Sequence, residues 1–118
     1  MLNQSDPLDR AFQALADPSR RTILERLTRG PASVSELAKP LAMSFPAVMQ
    51  HLGVLEAAKL VASQKIGRVR ICRLEAETLD RAEAWLNARR AEWERRFDRL
   101  GRYLDELQTP GGQNDGQD

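Results

Sequence analysis

The chain has 118 residues, 42% of them hydrophobic and 30% charged, and a formal net charge of +1. That size and balance suit one globular domain, and the lack of any apolar run near ~20 residues argues against a membrane span. A single cysteine excludes an internal disulfide framework, no secretion signal is evident, and the cytoplasm is the expected compartment.

Ser5-Asp6-Pro7 opens a first helix, with Asp6 as cap and Pro7 in the first turn. Leu8, Phe12 and Leu15 are expected on its inner face. Asp17-Pro18 repeats the device for a second helix, whose core residues are Ile23, Leu24 and Leu27 and which Gly30-Pro31 ends. Arg20 and Arg21 fall in its first turn, where the helix dipole disfavours cations. Either an external anion, such as a DNA phosphate, is bound there, or both arginines are solvated.

Ser33-Val-Ser-Glu36 is a capping box that starts a short helix with Leu37, Ala38 and Leu41 facing inward. Pro40 removes the N–H that would bond to Glu36, so that helix ends or kinks near Lys39. Ser44 then caps a further helix with Pro46 in its first turn. Val48, Leu52 and Leu55 repeat at i, i+4 and i+7, a single buried stripe. The opposite face carries Pro46, Gln50, Gly53 and Ala57, flanked by Ala47, Met49 and Val54, with His51 at the boundary. A solvated face would carry Lys and Glu. One amide among small groups suits close approach to another surface, expected here to be a DNA groove. Two short helices joined by a tight turn, the second of this kind, read as helix-turn-helix.

Two β-prone runs between Leu60 and Leu74 flank Gly67, which supplies a hairpin turn, and Lys65, Arg68 and Arg70 make its tip basic. Helix-turn-helix plus basic hairpin predicts a winged helix, mainly α with a β-hairpin wing. From Ala76 to Leu107 there is no Pro and only one Gly, Gly101. Leu79, Ala82, Leu86, Trp93, Phe97, Leu100, Leu104 and Leu107 follow 3-4 spacing, a near-heptad seam on a helix too long for so small a body to cover. The seam is expected to hold a homodimer. The organisation is then a winged-helix DNA-binding domain over residues 1–108, its dimerisation helix at 76–107, and a disordered tail at 109–118 rich in Gly, Gln and Asp.

Charge follows the same division. Residues 19–74 carry ten Lys and Arg against three Glu, whereas residues 1–18 and 75–118 are net acidic. The basic excess therefore lies on the helix-turn-helix and wing, as phosphate binding requires.

The run Leu41-x-x-Ser44-x-x-x-Val48-x-Gln50-His51-Leu52-x-Val54-Leu55-Glu56-x-Ala58-x-Leu60-Val61, with Gly67-Arg68-Val69-Arg70 and Cys72-Arg73-Leu74, resembles the ArsR-type winged-helix transcriptional regulators. Ala14–Leu27 matches the opening helices of that family, so the resemblance takes in roughly residues 8–107. It implies a repressor on an inverted-repeat operator that dimerises through its terminal helices, with Ser44, Pro46, Ala47, Met49, Gln50, His51, Gly53, Lys65, Arg68 and Arg70 at the DNA. The dimer seam is Leu79, Leu86, Trp93, Phe97, Leu100 and Leu104.

This sequence departs from the family in two respects. Lys59 stands at the helix exit where the family keeps Gly, a substitution that costs on the order of 1 kcal/mol if the left-handed turn is kept. Metal-binding members carry Cys-x-Cys in the first helix of the helix-turn-helix, or His and acidic clusters on the last. Here Glu36-Leu-Ala-Lys39 replaces the thiolates, and one Cys and one His cannot build a soft site in one protomer, so no metal or cofactor is expected. Cys72 shares strand parity with Leu74 and should pack inward. Nor is catalysis expected, because His51 is the only histidine and its helical angle faces no pocket. Two alternatives stand beside the repressor. One is a sensor with a small-molecule effector among the aromatic residues of the long helix. The other is a winged-helix protein–protein module that does not touch DNA.

Overall fold

The structure, a computed structural model, describes residues 6–108. The expected tail at 109–118 lies outside the described residues. Helix α1 is Pro7–Leu15 and α2 is Pro18–Leu27. A two-residue strand, β1 (Ala32–Ser33), precedes α3 (Val34–Ala38) and a 3-10 turn at Lys39–Leu41. Helix α4 is Phe45–Ala57, the hairpin is β2 (Val61–Ile66) and β3 (Val69–Leu74), and α5 is Ala76–Gln108. The chain divides into two compact units, one ending at Glu83 and one beginning at Ala84.

Each start signal works as its chemistry predicts. Asp6 accepts from the Leu8 N–H at 2.8 Å, and Asp17 accepts from the Arg20 N–H at 3.0 Å. Ser33 and Glu36 close their capping box reciprocally, at 3.1 and 2.8 Å, and those bonds hold the Glu36 carboxyl below its ordinary range. Pro40 ends α3 by converting its last turn to 3-10 geometry. The chain then reverses at Ala42, which takes a left-handed φ of 52°.

In the first unit one core gathers from all the elements. Ile23 and Leu27 of α2, Leu37 of α3, Val48, Leu52 and Leu55 of α4, and Leu60, Val61 and Cys72 of the sheet region are buried together. The first helix is phased differently from expectation. Ala11 and Ala14 are its buried positions, and Leu8, Phe12 and Leu15 are half-buried beside them. Small residues occupy the closest approach and larger ones its edges. Leu79, expected on the dimer seam, is instead half-buried and packs against this core, beside the buried Ala82.

The sheet has order β1-β3-β2 and is antiparallel throughout. Register places Lys65 opposite Arg70 and Ser63 opposite Cys72, and the two-residue turn uses Gly67 at φ +64°. The strand at Ala32–Ser33 was not legible beforehand, because Ser33 reads as a helix cap and two residues make no period.

The exit of α4 keeps the left-handed turn although its residue is Lys59, at φ 59°. The Leu60 N–H donates to Leu55 C=O and the Lys59 N–H to Glu56 C=O, both at 3.0 Å, which is a Schellman closure. Lys59→Gly should therefore raise stability by about 1 kcal/mol. A urea midpoint that does not rise would show that the lysine side chain offsets its own backbone strain.

Candidate nucleic-acid interface

The site is built on α4. Its N-cap, Ser44, accepts from the Ala47 N–H at 3.3 Å, and burial of Val48, Leu52 and Leu55 fixes the helix's rotation. That rotation leaves Pro46, Gln50, Gly53, Val54 and Ala57 exposed on one charge-free face, as the wheel predicts. Ala47 is half-buried. Met49 is half-buried too and packs against the core, so it belongs to the flank nearer the wing rather than to the outward face.

Phe45 was missed. It falls on the same helical stripe as Val48 and Leu52 and so reads as core, yet it is 55% exposed. The core does not extend to this first turn. Phe45 and Met49 instead line a cleft of ≈370 Å³ together with Lys65, Arg68 and Arg70 of the wing and Ser33 and Ser35. Helix α4, Ser33, Ser35 and the wing cations thus share one concave surface.

A hydrogen-bond chain ties wing to helix. Arg70 donates from Nη1 to Ser63 Oγ at 2.9 Å, and the Ser63 hydroxyl donates to Glu56 Oε2 at 2.6 Å. Arg70 is therefore half-buried and held from within, unlike Lys65 and Arg68, which are exposed. Neither Ser63 nor Glu56 carried a sequence signal for this link, since seven residues and a change of element separate each pair.

Arg20 and Arg21 have found a partner other than an external anion or water. Arg20 donates from Nε to Ala14 C=O at 2.8 Å and from Nη2 to Gln13 C=O at 3.0 Å, and Arg21 donates from Nη1 to Leu15 C=O at 2.8 Å. Both cations cap the C-terminal carbonyls of α1, where its dipole welcomes them. Their unfavourable place at the start of α2 is resolved by the helix before it. His51, half-buried, lies with Nδ1 3.4 Å from Arg20 Nη1 and 3.9 Å from Asp17 Oδ2, so it faces the start of α2. The Asp17 carboxyl is held below its ordinary value, first by the Arg20 backbone N–H and then by the Arg20 guanidinium charge.

Cys72 is fully buried, and burial, reinforced by the Glu56 carboxylate, pushes its thiol up. It stays protonated at neutral pH and packs as a small apolar group. Among the described residues no three His, Cys, Asp or Glu side chains gather as metal ligands, and no helix is long and apolar enough to cross a membrane.

In the second unit α5 presents an apolar stripe to solvent. Leu86, Trp93, Phe97, Leu100, Leu104 and Leu107 are between 47% and 64% exposed. Trp93 and Phe97 stack with centroids 5.9 Å apart, and Arg89 lies over the Trp85 ring at 5.2 Å.

A capped pair of helices joined by a tight turn, followed by a basic antiparallel hairpin, defines a winged helix-turn-helix protein. Residues 15–64 match the helix-turn-helix domain family. The chain is 54% identical over 67 residues to the HTH-type transcriptional regulator Rv2034 of Mycobacterium tuberculosis, a match covering 57% of this chain and 63% of that relative's length. The crystal structure of the ArsR family transcriptional regulator RHA00566 superposes with TM-score 0.73 at 49% identity, over 75% of this chain and 98% of that one. The homodimeric winged helix-turn-helix DNA-binding domain of Mb0332 from Mycobacterium bovis, described as a possible ArsR-family regulator, superposes with TM-score 0.60 at 26% identity, over 75% of this chain and 82% of that one. The chain belongs to the ArsR family of transcriptional regulators.

Proposed function

We propose that the chain is a dimeric, cytoplasmic repressor that binds an inverted-repeat operator in double-stranded DNA and needs neither cofactor nor membrane. The observation that carries this reading is the pairing of a charge-free exposed α4 face with an adjacent basic wing. Helix α4 would lie in the major groove, with Pro46, Gln50 and Gly53 at the bases and Ser44, Ala47, Met49 and His51 along its edges. A Cβ at Gly53 would meet no atom of the protein within 4 Å. The fold does not need that glycine, and glycine costs a helix interior roughly 1 kcal/mol against alanine. Close approach of the duplex gives it a use.

The homodimeric relative supports two-fold symmetry, which presents two recognition helices about one turn of duplex apart, roughly 34–36 Å. Occupation of such a site excludes polymerase, hence repression rather than catalysis as the output. Gln50 is the one exposed amide on the reading face and suits adenine N6 and N7, and the small apolar neighbours suit thymine methyls. Gln50→Ala is expected to cost about 1–3 kcal/mol on the true operator and to relax one A·T position. Selection from random duplexes with both proteins decides it. Identical preferences, or half-sites centred on G·C, would remove Gln50 from the readout. Affinity indifferent to salt would favour a protein–protein module instead.

A further inference from the structure

We infer that the cleft between the start of α1, the end of α4 and the first turns of α5 is an anion site for a phosphate or carboxylate group. It lies within the first unit and away from the wing. Its volume is ≈320 Å³, and it is lined by Arg10, Lys59, Arg81, Glu77 and Thr78 over a floor of Ala57 and Ala58.

Three observations converge on it. The first is an orphaned donor: the Arg10 Nε is buried and has no hydrogen-bond acceptor among the described residues. A buried guanidinium N–H without a partner is costly; the Nε has almost no exposed surface, so an oxygen anion in the cleft would meet the Arg10 fork and satisfy the Nε–H through a small shift of that side chain. The second is charge. Three cations line the cleft against one carboxylate, a net excess of two, and Arg81 spends one nitrogen on that carboxylate, its Nη2 donating to Glu77 Oε2 at 2.9 Å. The third is backbone strain. Lys59 holds a left-handed turn that glycine would adopt more easily, and it stands at this cleft. Thr78, the buried polar residue of the unit at 6% exposure, lies on the same wall.

Arg10 is the principal donor, and Lys59 and Arg81 supply long-range attraction. The anion's source is either a small metabolite or a backbone phosphate of bound DNA, and both offer the same oxygens. Because Ala57, Ala58 and Lys59 are the end of the recognition helix, occupancy would bear directly on the element that reads DNA.

The test titrates inorganic phosphate into the full-length chain at constant ionic strength, with chloride as balance. NMR follows the Arg10 Nε–Hε and the Lys59 and Thr78 amides. Saturable shifts at one site per protomer are expected, about tenfold weaker in Arg10→Gln, the scale of one lost charge-assisted bond. Lys59→Gly should also weaken phosphate binding while raising the urea midpoint, a combination that a purely structural lysine would not give. DNA titrations identify the source. An unchanged salt slope in Arg10→Gln assigns the site to a small anion, and a slope reduced by about two units, one per protomer of the dimer, assigns it to a duplex phosphate. Shifts that rise without saturation, are equal in wild type and Arg10→Gln, or centre on Lys65 and Arg68 would overturn the site.

Discussion

Trp93→Asp combined with Leu100→Asp is expected to sediment as a folded monomer, with dimerisation weakened on the order of 10²-fold or more. Both residues lie on the exposed α5 stripe, at 64% and 51% exposure, one heptad apart from each other through Phe97. Burying a side chain of this size against a partner is worth about 1.5–3 kcal/mol. Each substitution forfeits that gain and sets two new carboxylates facing their symmetry mates across a C2 axis. The fold of the first unit should survive, because its core of Ile23, Leu37, Val48, Leu52 and Leu55 does not include either residue. DNA affinity falls with it, since a monomer engages one half-site and loses the chelate gain of two. Near-unchanged sedimentation with an intact circular dichroism spectrum would place the interface elsewhere, with the half-buried Leu8, Phe12 and Leu15 of α1 as the next candidates.

Local chemistry made much of this molecule legible. Asp6, Asp17, Ser33 and Ser44 each announce a helix because a side-chain acceptor meets a free first-turn N–H, and each bond forms. Pro40 and Gly67 mark breaks for equally local reasons. The period of α4 gave its rotation, and with it the exposed position of Gln50.

What escaped depends on residues far apart in sequence. Arg20 and Arg21 oppose the dipole of α2, which their positions in the chain show, but only folding brings the end of α1 to them. Phe45 fits the buried period and is exposed because periodicity does not report where a core stops. Arg70 looks like Lys65 and Arg68 in sequence, and differs because Ser63 and Glu56 reach it. Leu79 continues the seam of α5 in register, yet it packs on the first unit's core.

That difference within the wing shapes the last expected result. Lys65→Ala and Arg68→Ala should each flatten the salt dependence of DNA binding by about one unit per protomer, roughly two for the dimer, because each exposed cation neutralises roughly one phosphate. Arg70 carries the same charge to the same cleft but spends one guanidinium nitrogen on Ser63 Oγ. Arg70→Ala should therefore do two things: reduce the slope by up to about one unit per protomer, and loosen the wing by leaving the Ser63–Glu56 pair without its third member. For the triple variant the slopes combine to about three units per protomer and about six for the dimer, so wild type should lose on the order of 10³-fold more affinity than the variant between 50 and 200 mM salt. The loss should be the same for operator and scrambled duplex, because phosphate contacts position without reading sequence. Hydrogen exchange at the Ser63 and Arg70 amides separates the two effects of Arg70, rising in Arg70→Ala and in the triple variant but not in Lys65→Ala. An unchanged salt slope in the triple variant would take the wing away from the backbone. A loss confined to one duplex sequence would instead make Lys65 or Arg68 a reader of bases.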